Sequence, residues 1–175
     1  DVFWSPRHHL PLFLDPKIKQ LLTIHDLVWS KFPKTMQPAN LLVERMLMRP
    51  SLQRANKVIA VSNSTGDDLV RELSVEEAKI EVIYEAASEV SEPNPSRELL
   101  SPYYLFVGTH EPRKNLQRLV EAFLIYQASG GTCKLVIVGA GGWGKMNKLS
   151  LQNILALGYV SEDRLNGLLT HATAL

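Results

Sequence analysis

The chain has 175 residues, of which 45% are hydrophobic and 21% charged, and its formal net charge at pH 7 is +1. This size and composition are typical of a soluble globular protein that holds one domain or parts of two. A charge so close to neutral excludes the strongly basic surface that a nucleic acid partner would need. Cys133 is the single cysteine, which excludes disulfide bonds within the chain and favours a reducing, cytoplasmic compartment.

In the first half of the chain, short apolar runs alternate with stretches of helical periodicity, which is the pattern of a parallel α/β sheet. A helix is expected over 40–55, although Pro50 should end or kink it. Its apolar stripe is expected in the core, with a membrane-contacting face as the alternative, and consists of Leu41, Leu42, Met46 and Leu47. Strands are predicted over 21–24, 57–61 and 80–84, and the opening "DVFWSP" also has strand character.

A second helix is predicted directly after the strand at 57–61. Ser62 or Ser64 is suited to cap it, because a serine hydroxyl can accept a hydrogen bond from the first turn. Asp67 and Asp68 are expected in that first turn, where carboxylates interact well with the positive end of the helix dipole.

The composition changes between residues 89 and 102, where three prolines stand among small and charged residues. Such a stretch is typical of a linker. The sequence therefore predicts two α/β units, over 1–88 and 103–175, joined by a linker over 89–102.

In the second unit the alternation of strands and helices restarts. Strands are predicted over 103–107 and 134–138, with a helix over 115–127 between them. The second of these strands leads into the glycine-rich stretch "GAGGWG", and Ser161 is suited to cap a last helix.

The stretch "GTHEPRKN" lies between the strand at 103–107 and the next helix. Asn115 is a good N-cap for that helix, so the first backbone N–H groups of the helix should point back towards the loop. Arg113 and Lys114 lie at the same place, and Gly108 permits close approach of a ligand. A helix N-terminus flanked by two cations favours an anion, phosphate above all. The alternative is an ordinary strand-to-helix loop with solvated cations.

Taken in order and spacing, these motifs resemble the family 4 (group 1) nucleotide-sugar-dependent glycosyltransferases. The resemblance extends along nearly the whole chain and rests on "SPRHHLPL", "TIHDLVWSKFP", "ANKVIAVSNSTGDDLV", "AKIEVIYEA", "YLFVGTHEPRKNLQRLVEAF", "KLVIVGAGGWG" and "LGYVSEDRLNGLLTHATAL". It implies a GT-B fold, in which two Rossmann-like domains with parallel sheets face each other across a cleft. Residues 1–88 would then be the C-terminal part of the acceptor-side domain, and 103–175 the N-terminal part of the donor-binding domain.

The resemblance also implies a donor-binding loop at the start of the second domain. In the family, a lysine at the position of Lys114 and backbone groups around Gly108 hold the diphosphate of the donor. Many relatives have arginine where this chain has Thr109, so either Thr109 or Arg113 would take that role. The same donor-binding set would include Asn115 at the helix start and Gly139 after the next strand, although a glycine turn is by itself mostly structural.

His25, in "TIHD", is similar to the first-domain histidine that lies against the transferred sugar and phosphate in the family. It follows a predicted parallel strand, where ligand-binding loops are usual, but a structural histidine is the alternative. Asp26 is expected to orient the loop rather than act as a base. The adjacent residues Arg7, His8 and His9 are expected in a solvated loop, with contact to an acceptor sugar or a lipid phosphate as the alternative.

The implied reaction moves a hexosyl group from a nucleoside-diphosphate sugar to a saccharide, lipid-linked or small-molecule acceptor, with retention of anomeric configuration. Lys114 and Arg113 can neutralise the leaving diphosphate, so no cofactor is expected and no metal is strictly required. The histidines and aspartates also lack the spacing of a metal site. The protein is expected in the cytoplasm, with peripheral membrane contact as an alternative.

The chain is expected to be a fragment truncated at both ends and inactive alone. An acidic donor-site motif known in the family is missing after His171, and the spacing between Gly144 and Leu157 is shorter than usual. Two other classes stay open. One is a non-catalytic module that binds nucleoside diphosphate, and the other is a nicotinamide-dependent enzyme, although "GTHEPRKN" lacks the G-x-G-x-x-G spacing.

Overall fold

The computed structural model describes residues 1–86, 102–139, 141 and 153–175. The chain divides into two compact units, Asp1–Ala87 and Ser88–Leu175. Except for residue 102, the predicted linker over 89–102 lies outside the described residues, and so does most of the stretch between Gly144 and Leu157.

The first unit contains a parallel sheet whose four strands lie side by side in chain order. The strands are β1 (Val2–Ser5), β2 (Lys19–Ile24), β3 (Lys57–Ala60) and β4 (Ile80–Val82). The helices are α1 (Val28–Lys31), α2 (Pro38–Arg54) and α3 (Asn63–Leu73). All predicted strands are present, with bounds that differ from the predicted ones by up to two residues.

The core of the first unit lies between the central strands and the two longer helices. Its most deeply buried members are Leu22, Ile24, Met48, Val58 and Leu69. Alternate residues of β2 and β3 point to this core, because successive side chains of a strand face opposite sides of the sheet. Because the four strands are parallel, their carboxyl ends lie together at one edge of the sheet.

The structure departs from two expectations about α2. Pro50 does not end the helix, which continues to Arg54. Pro50 is exposed, so water can solvate the carbonyl that the missing proline N–H leaves unpaired. The apolar stripe is also not buried as a whole: Leu42 and Met46 are 59% and 63% exposed, whereas Met48 is fully buried. The helix contacts the sheet with the side that carries Met48, Ser51 and Leu52.

α3 is capped by Ser62, whose Oγ accepts a hydrogen bond from the Thr65 N–H at 3.1 Å. Of the two serines predicted, Ser62 is therefore the cap. Because α3 begins at Asn63, Asp67 and Asp68 lie beyond its first turn, contrary to the prediction. Asp68 is instead a buried carboxylate that accepts hydrogen bonds from Lys31 Nζ at 2.7 Å and from Arg71 Nη2 at 3.0 Å.

The second unit contains a three-stranded parallel sheet of β5 (Tyr103–Val107), β6 (Lys134–Val138) and β7 (Ile154–Gly158). α4 (Leu116–Ala128) packs on the face that carries Leu135 and Ile137. α5 (Glu162–His171) packs through Leu168 on the opposite face, which carries Leu105 and Val136.

Both units therefore show the predicted α/β class with parallel sheets. The strands at 103–107 and 134–138 have the predicted bounds. Ser161 caps α5 as expected, through its Oγ and the Arg164 N–H.

Candidate functional site

The candidate site of the first unit is His25, which follows the last residue of β2 at the carboxyl edge of the first sheet. Its Nε2 lies 2.9 Å from the carbonyl oxygen of Pro6, and its Nδ1 lies 2.9 Å from Oε1 of Glu85. Both ring nitrogens thus face oxygen acceptors, and only the doubly protonated imidazolium can donate to both. The side chain is 41% exposed and accessible to a ligand.

Sequence reasoning did not single out Glu85, the partner of His25. Glu85 follows β4 in the stretch "VIYEA". The sequence signal for its place near His25 is that the carboxyl ends of parallel strands meet at one edge of a sheet. The Glu85 side chain is 64% exposed. An ion pair that exposed contributes less than about 1 kcal/mol and is easily exchanged for another partner.

The backbone of His25 is held by the loop after β1 and by the first turn of α3. His8 Nε2 accepts a hydrogen bond from the His25 N–H at 3.2 Å, and Thr65 Oγ1 donates to the His25 carbonyl at 3.1 Å. Asp26 Oδ1 accepts from the Val28 N–H at 3.1 Å, so its carboxylate orients the start of α1, as expected.

Arg7 is exposed as expected, but His8 and His9 are largely shielded from solvent, contrary to the expectation. Their side chains are 19% and 23% exposed, and both contact the carboxylate of Glu44 on α2, at 3.4 Å and 3.1 Å. Although burial raises the pKa of Glu44, hydrogen bonds and charge from the two histidines hold that pKa below its usual range.

The candidate site of the second unit is the loop between β5 and α4. Gly108 ends the strand region, and its N–H donates to the Val138 carbonyl at 2.9 Å. A 3-10 turn over Pro112–Lys114 then carries Arg113 and Lys114. The Lys114 side chain passes over Gly108, with its Cε 3.9 Å from the position that a Cβ on Gly108 would take.

Asn115 precedes α4 at the predicted N-cap position, but its side chain makes no capping hydrogen bond. Its backbone is left-handed, with φ 53° and ψ 34°, a conformation that asparagine tolerates better than most residues. The first-turn N–H groups of α4 therefore receive no side-chain cap. Free N–H groups of this kind, next to two cations, suit an anion.

Glu111 occupies the centre of this loop and was not identified from the sequence. Its carboxylate accepts hydrogen bonds from Thr109 Oγ1 and from Arg113 Nε, both at 2.7 Å. Burial raises the pKa of Glu111, but the bonds from Thr109 and Arg113 outweigh it and keep the pKa below its usual range. Since Glu111 engages Nε, the terminal nitrogens of Arg113 have no partner among the described residues.

Gly139, at the end of β6, permits the close approach of two strand ends. Its φ is +142°, and a Cβ at this position would collide with the carbonyl oxygen of Gly108. Its N–H donates to the Gly158 carbonyl at 2.8 Å.

In the loop between β5 and α4, His110 Nε2 is buried without a hydrogen-bond partner among the residues that the structure describes.

The structure thus brings six of the seven predicted site residues to the carboxyl edge of the second sheet, namely Gly108, Thr109, Arg113, Lys114, Asn115 and Gly139. His25 lies at the equivalent edge of the first sheet.

Within the described ranges, no group of three or more His, Cys, Asp or Glu side chains is arranged to hold a metal ion. In the same ranges, no helix has the length and hydrophobicity needed to cross a bilayer.

Comparison with known proteins identifies the class to which this α/β fold belongs. Residues 2–87, which include His25, match the family model described as Glycosyltransferase Family 4. Residues 2–87 therefore match the family 4 glycosyltransferases, and the predicted family resemblance is confirmed.

A particular relative also matches. Over 117 residues the chain is 27% identical to the O-antigen chain mannosyltransferase RfbU of Salmonella typhimurium, and the match covers 67% of this chain and 31% of that protein. The match therefore spans about a third of the length of that relative.

Proposed function

We propose that this protein takes part in transferring a hexosyl group from a nucleoside-diphosphate sugar to a saccharide or lipid-linked acceptor, with retention of configuration. The observation that carries the proposal is the family 4 match over residues 2–87, because it includes His25 at the carboxyl edge of a parallel sheet. Ligands of open parallel sheets bind at this edge.

In this proposal the loop from Gly108 to Asn115 binds the diphosphate of the donor. Cleavage of the bond between sugar and phosphate leaves extra negative charge on the departing diphosphate. Lys114, Arg113 and the uncapped first turn of α4 would stabilise that charge more strongly in the transition state than in the ground state. The cations do the neutralising, so the proposed reaction does not strictly require a metal.

His25 would contact the transferred sugar and the adjacent phosphate. Its Nδ1 is paired only with the exposed carboxylate of Glu85, and a ligand oxygen can replace that partner at small energetic expense. The contact of Nε2 with the Pro6 carbonyl would meanwhile keep the ring in place.

We take mannosyl as the first sugar to test, because the relative is described as a mannosyltransferase. We further propose that the 175 residues alone are inactive, since the match spans 31% of that relative. A cytoplasmic location stays a prediction, which rests on the single cysteine Cys133.

The proposal is tested with a form of the protein that covers the full length of its relative. It is incubated with a panel of UDP- and GDP-linked hexoses and with saccharide and lipid-linked acceptors, and release of nucleoside diphosphate is measured. Consumption of one donor, with the product anomer matching the donor anomer by NMR, is expected. If no donor in the panel is consumed, the proposal is wrong.

A second candidate is a module that binds nucleoside diphosphate without transferring sugar. The observation that favours it is the uncapped start of α4 beside Arg113 and Lys114, which suits a diphosphate whether or not sugar is transferred. The full-length form would then bind a nucleoside diphosphate but consume no donor in the same assay.

A further inference from the structure

The loop after β1 is fastened to one side of α2 by three polar residues. Glu44, Ser51 and Arg54 lie seven and three residues apart, which places them on one side of a helix. Ser51 Oγ accepts from the buried Leu10 N–H at 3.0 Å. The Arg54 guanidinium donates to three successive carbonyls of the loop, those of Leu10, Pro11 and Leu12. The loop that carries His8 and His9 therefore has a fixed position on α2.

Within this arrangement Glu44 determines which nitrogen of His8 carries a proton. Glu44 has a pKa below its usual range and is ionised at neutral pH, so its carboxylate can only accept hydrogen bonds. The nitrogens that face it, Nδ1 of His8 and Nε2 of His9, must then carry hydrogen. In the neutral His8 ring, Nε2 consequently keeps its lone pair.

That lone pair faces the backbone of His25. The backbone nitrogen of His25 lies 3.2 Å from His8 Nε2, and its N–H points at that atom. A ring nitrogen can accept this hydrogen bond only if it carries no proton. The opposite tautomer of His8 would place two N–H groups against each other. The contacts from Glu44 to His8 and from His8 to His25 are therefore satisfied together by one tautomer only.

We propose that Glu44 and His8 are positioning residues for His25: the carboxylate fixes the Nδ1–H tautomer of His8, whose Nε2 then holds the His25 N–H. Thr65 holds the carbonyl of the same residue, so both backbone groups of His25 are fixed. Any role of this pair in sugar transfer rests on the proposed function of His25, but the pairing itself does not.

The pairing is tested without substrate, by long-range ¹⁵N NMR of the imidazole rings in the labelled chain at a pH where the rings are neutral. The His8 signals are assigned with a His8→Gln variant. We expect protonated Nδ1 and unprotonated Nε2 in wild-type His8. An Nε2–H tautomer in the wild type overturns the proposal without any variant.

The variant Glu44→Met keeps the length of the side chain but removes both acceptors. We expect His8 to lose its single tautomer and the His25 amide to exchange with solvent about fivefold faster, as for the loss of one ordinary hydrogen bond. Glu72→Met, which changes an exposed glutamate on α3, is the matched control and should change neither signal. An unchanged His8 tautomer in folded Glu44→Met also overturns the proposal.

The conservative variant His8→Gln separates positioning from packing. The carbonyl oxygen of its amide can take the place of Nε2 as acceptor, whereas His8→Leu offers none. We expect slow exchange of the His25 amide in His8→Gln and fast exchange in His8→Leu. Equal exchange in the two variants contradicts the proposal. Because no sugar donor is present, a protein that lacks transferase activity can still pass or fail each of these tests.

Discussion

Two junctions between a strand and the following helix differ in whether a side chain caps the helix N-terminus. Where β3 leads into α3, a side chain of the junction caps the helix. Ser62 Oγ caps the helix, lies 2.9 Å from Thr65 Oγ1, and Thr65 in turn donates to the His25 carbonyl. Ser62 and Thr65 thus have their partners within the first unit.

Where β5 leads into α4, the start of the helix is left open. The Asn115 side chain does not cap it, and the two cations Arg113 and Lys114 lie in the turn just before it. Glu111 holds Arg113 by Nε alone. The difference is that the Asn115 side chain leaves the start of α4 uncapped and that, among the described residues, the terminal nitrogens of Arg113 have no partner. Such an arrangement suits an anionic ligand.

The largest expected effect is that of Lys114→Ala on sugar transfer by a full-length form. Removing one group that stabilises a developing negative charge typically lowers kcat by about a hundredfold or more, and we expect a loss of that size. Lys134→Ala, at the opposite end of the second sheet, is the matched control and should retain activity within about twofold. Equal rates in the two variants, measured as release of nucleoside diphosphate, would contradict the account.

Gly139 and Gly66 sharpen the comparison between the junctions. A Cβ at position 139 collides with the backbone of Gly108, so Gly139→Ala should lower the free energy of unfolding by about 2 kcal/mol. Gly66 lies in α3, where a Cβ meets only side chains at 3.5 Å or more. Gly66→Ala should be neutral or stabilising by about 0.5 kcal/mol, from helix propensity. Urea unfolding measures both, and the same sign for both variants would be evidence against the close approach of the strand ends.

The two helix caps should differ in the same way. Ser62→Ala removes a working cap and should lower the free energy of unfolding by about 1 kcal/mol. Asn115→Gly removes a side chain that makes no capping hydrogen bond, and glycine suits the left-handed backbone at this position. Its free energy of unfolding should therefore lie within about 0.5 kcal/mol of that of the wild type. Thermal unfolding of the two variants tests this expectation. A similar loss of stability in both variants would mean that the Asn115 side chain does cap α4.

The smallest effect concerns pH. Hydrogen bonds from Lys31 first, and then from Arg71, lower the pKa of the buried Asp68 below its ordinary value of 3.8, against the effect of burial. A carboxyl group with a lowered pKa in the folded state stabilises the protein above its unfolded pKa, and this stability is lost as the pH falls through the folded pKa.

Asp68→Asn should therefore be less stable than the wild type by about 1 kcal/mol at about pH 6, a value kept low because Lys31 is partly exposed. The difference should disappear on acidification below pH 3.8. Glu111→Gln should change the stability by less than about 0.5 kcal/mol, since its partner Arg113 is 41% exposed. A difference for Asp68→Asn that persists in acid would mean that packing, not charge, is responsible.

The elements that could be predicted from the sequence are those defined by local patterns. The strands Tyr103–Val107 and Lys134–Val138 are apolar runs rich in aromatic and β-branched residues, and their bounds were predicted to the residue. Ser161 was identified as a cap, and Ser62 as one of two candidates with Ser64, because a cap depends only on the residues of the first turn. The family resemblance likewise rests on motifs that are contiguous in the sequence.

What could not be predicted depends on contacts between distant segments. Glu44 meets His8 and His9 only because α2 passes beside the loop after β1. Glu85 reaches His25 only because β2 and β4 end at the same edge. The burial of Met48 beside exposed Met46 depends on how α2 lies on the sheet, which the run of Leu and Met residues does not specify.

The central claim, that the loop from Gly108 to Asn115 binds the diphosphate of a nucleotide sugar, is tested most directly by thermal unfolding. The melting temperature of the chain is measured with and without UDP, GDP and their sugar conjugates, for the wild type, Lys114→Ala and Lys134→Ala. A ligand at a hundred times its Kd stabilises by about 2.7 kcal/mol, which produces a clear rise. We predict a rise with one nucleotide that Lys114→Ala abolishes and Lys134→Ala retains. A rise that survives Lys114→Ala, or no rise with any of these nucleotides, would contradict the account.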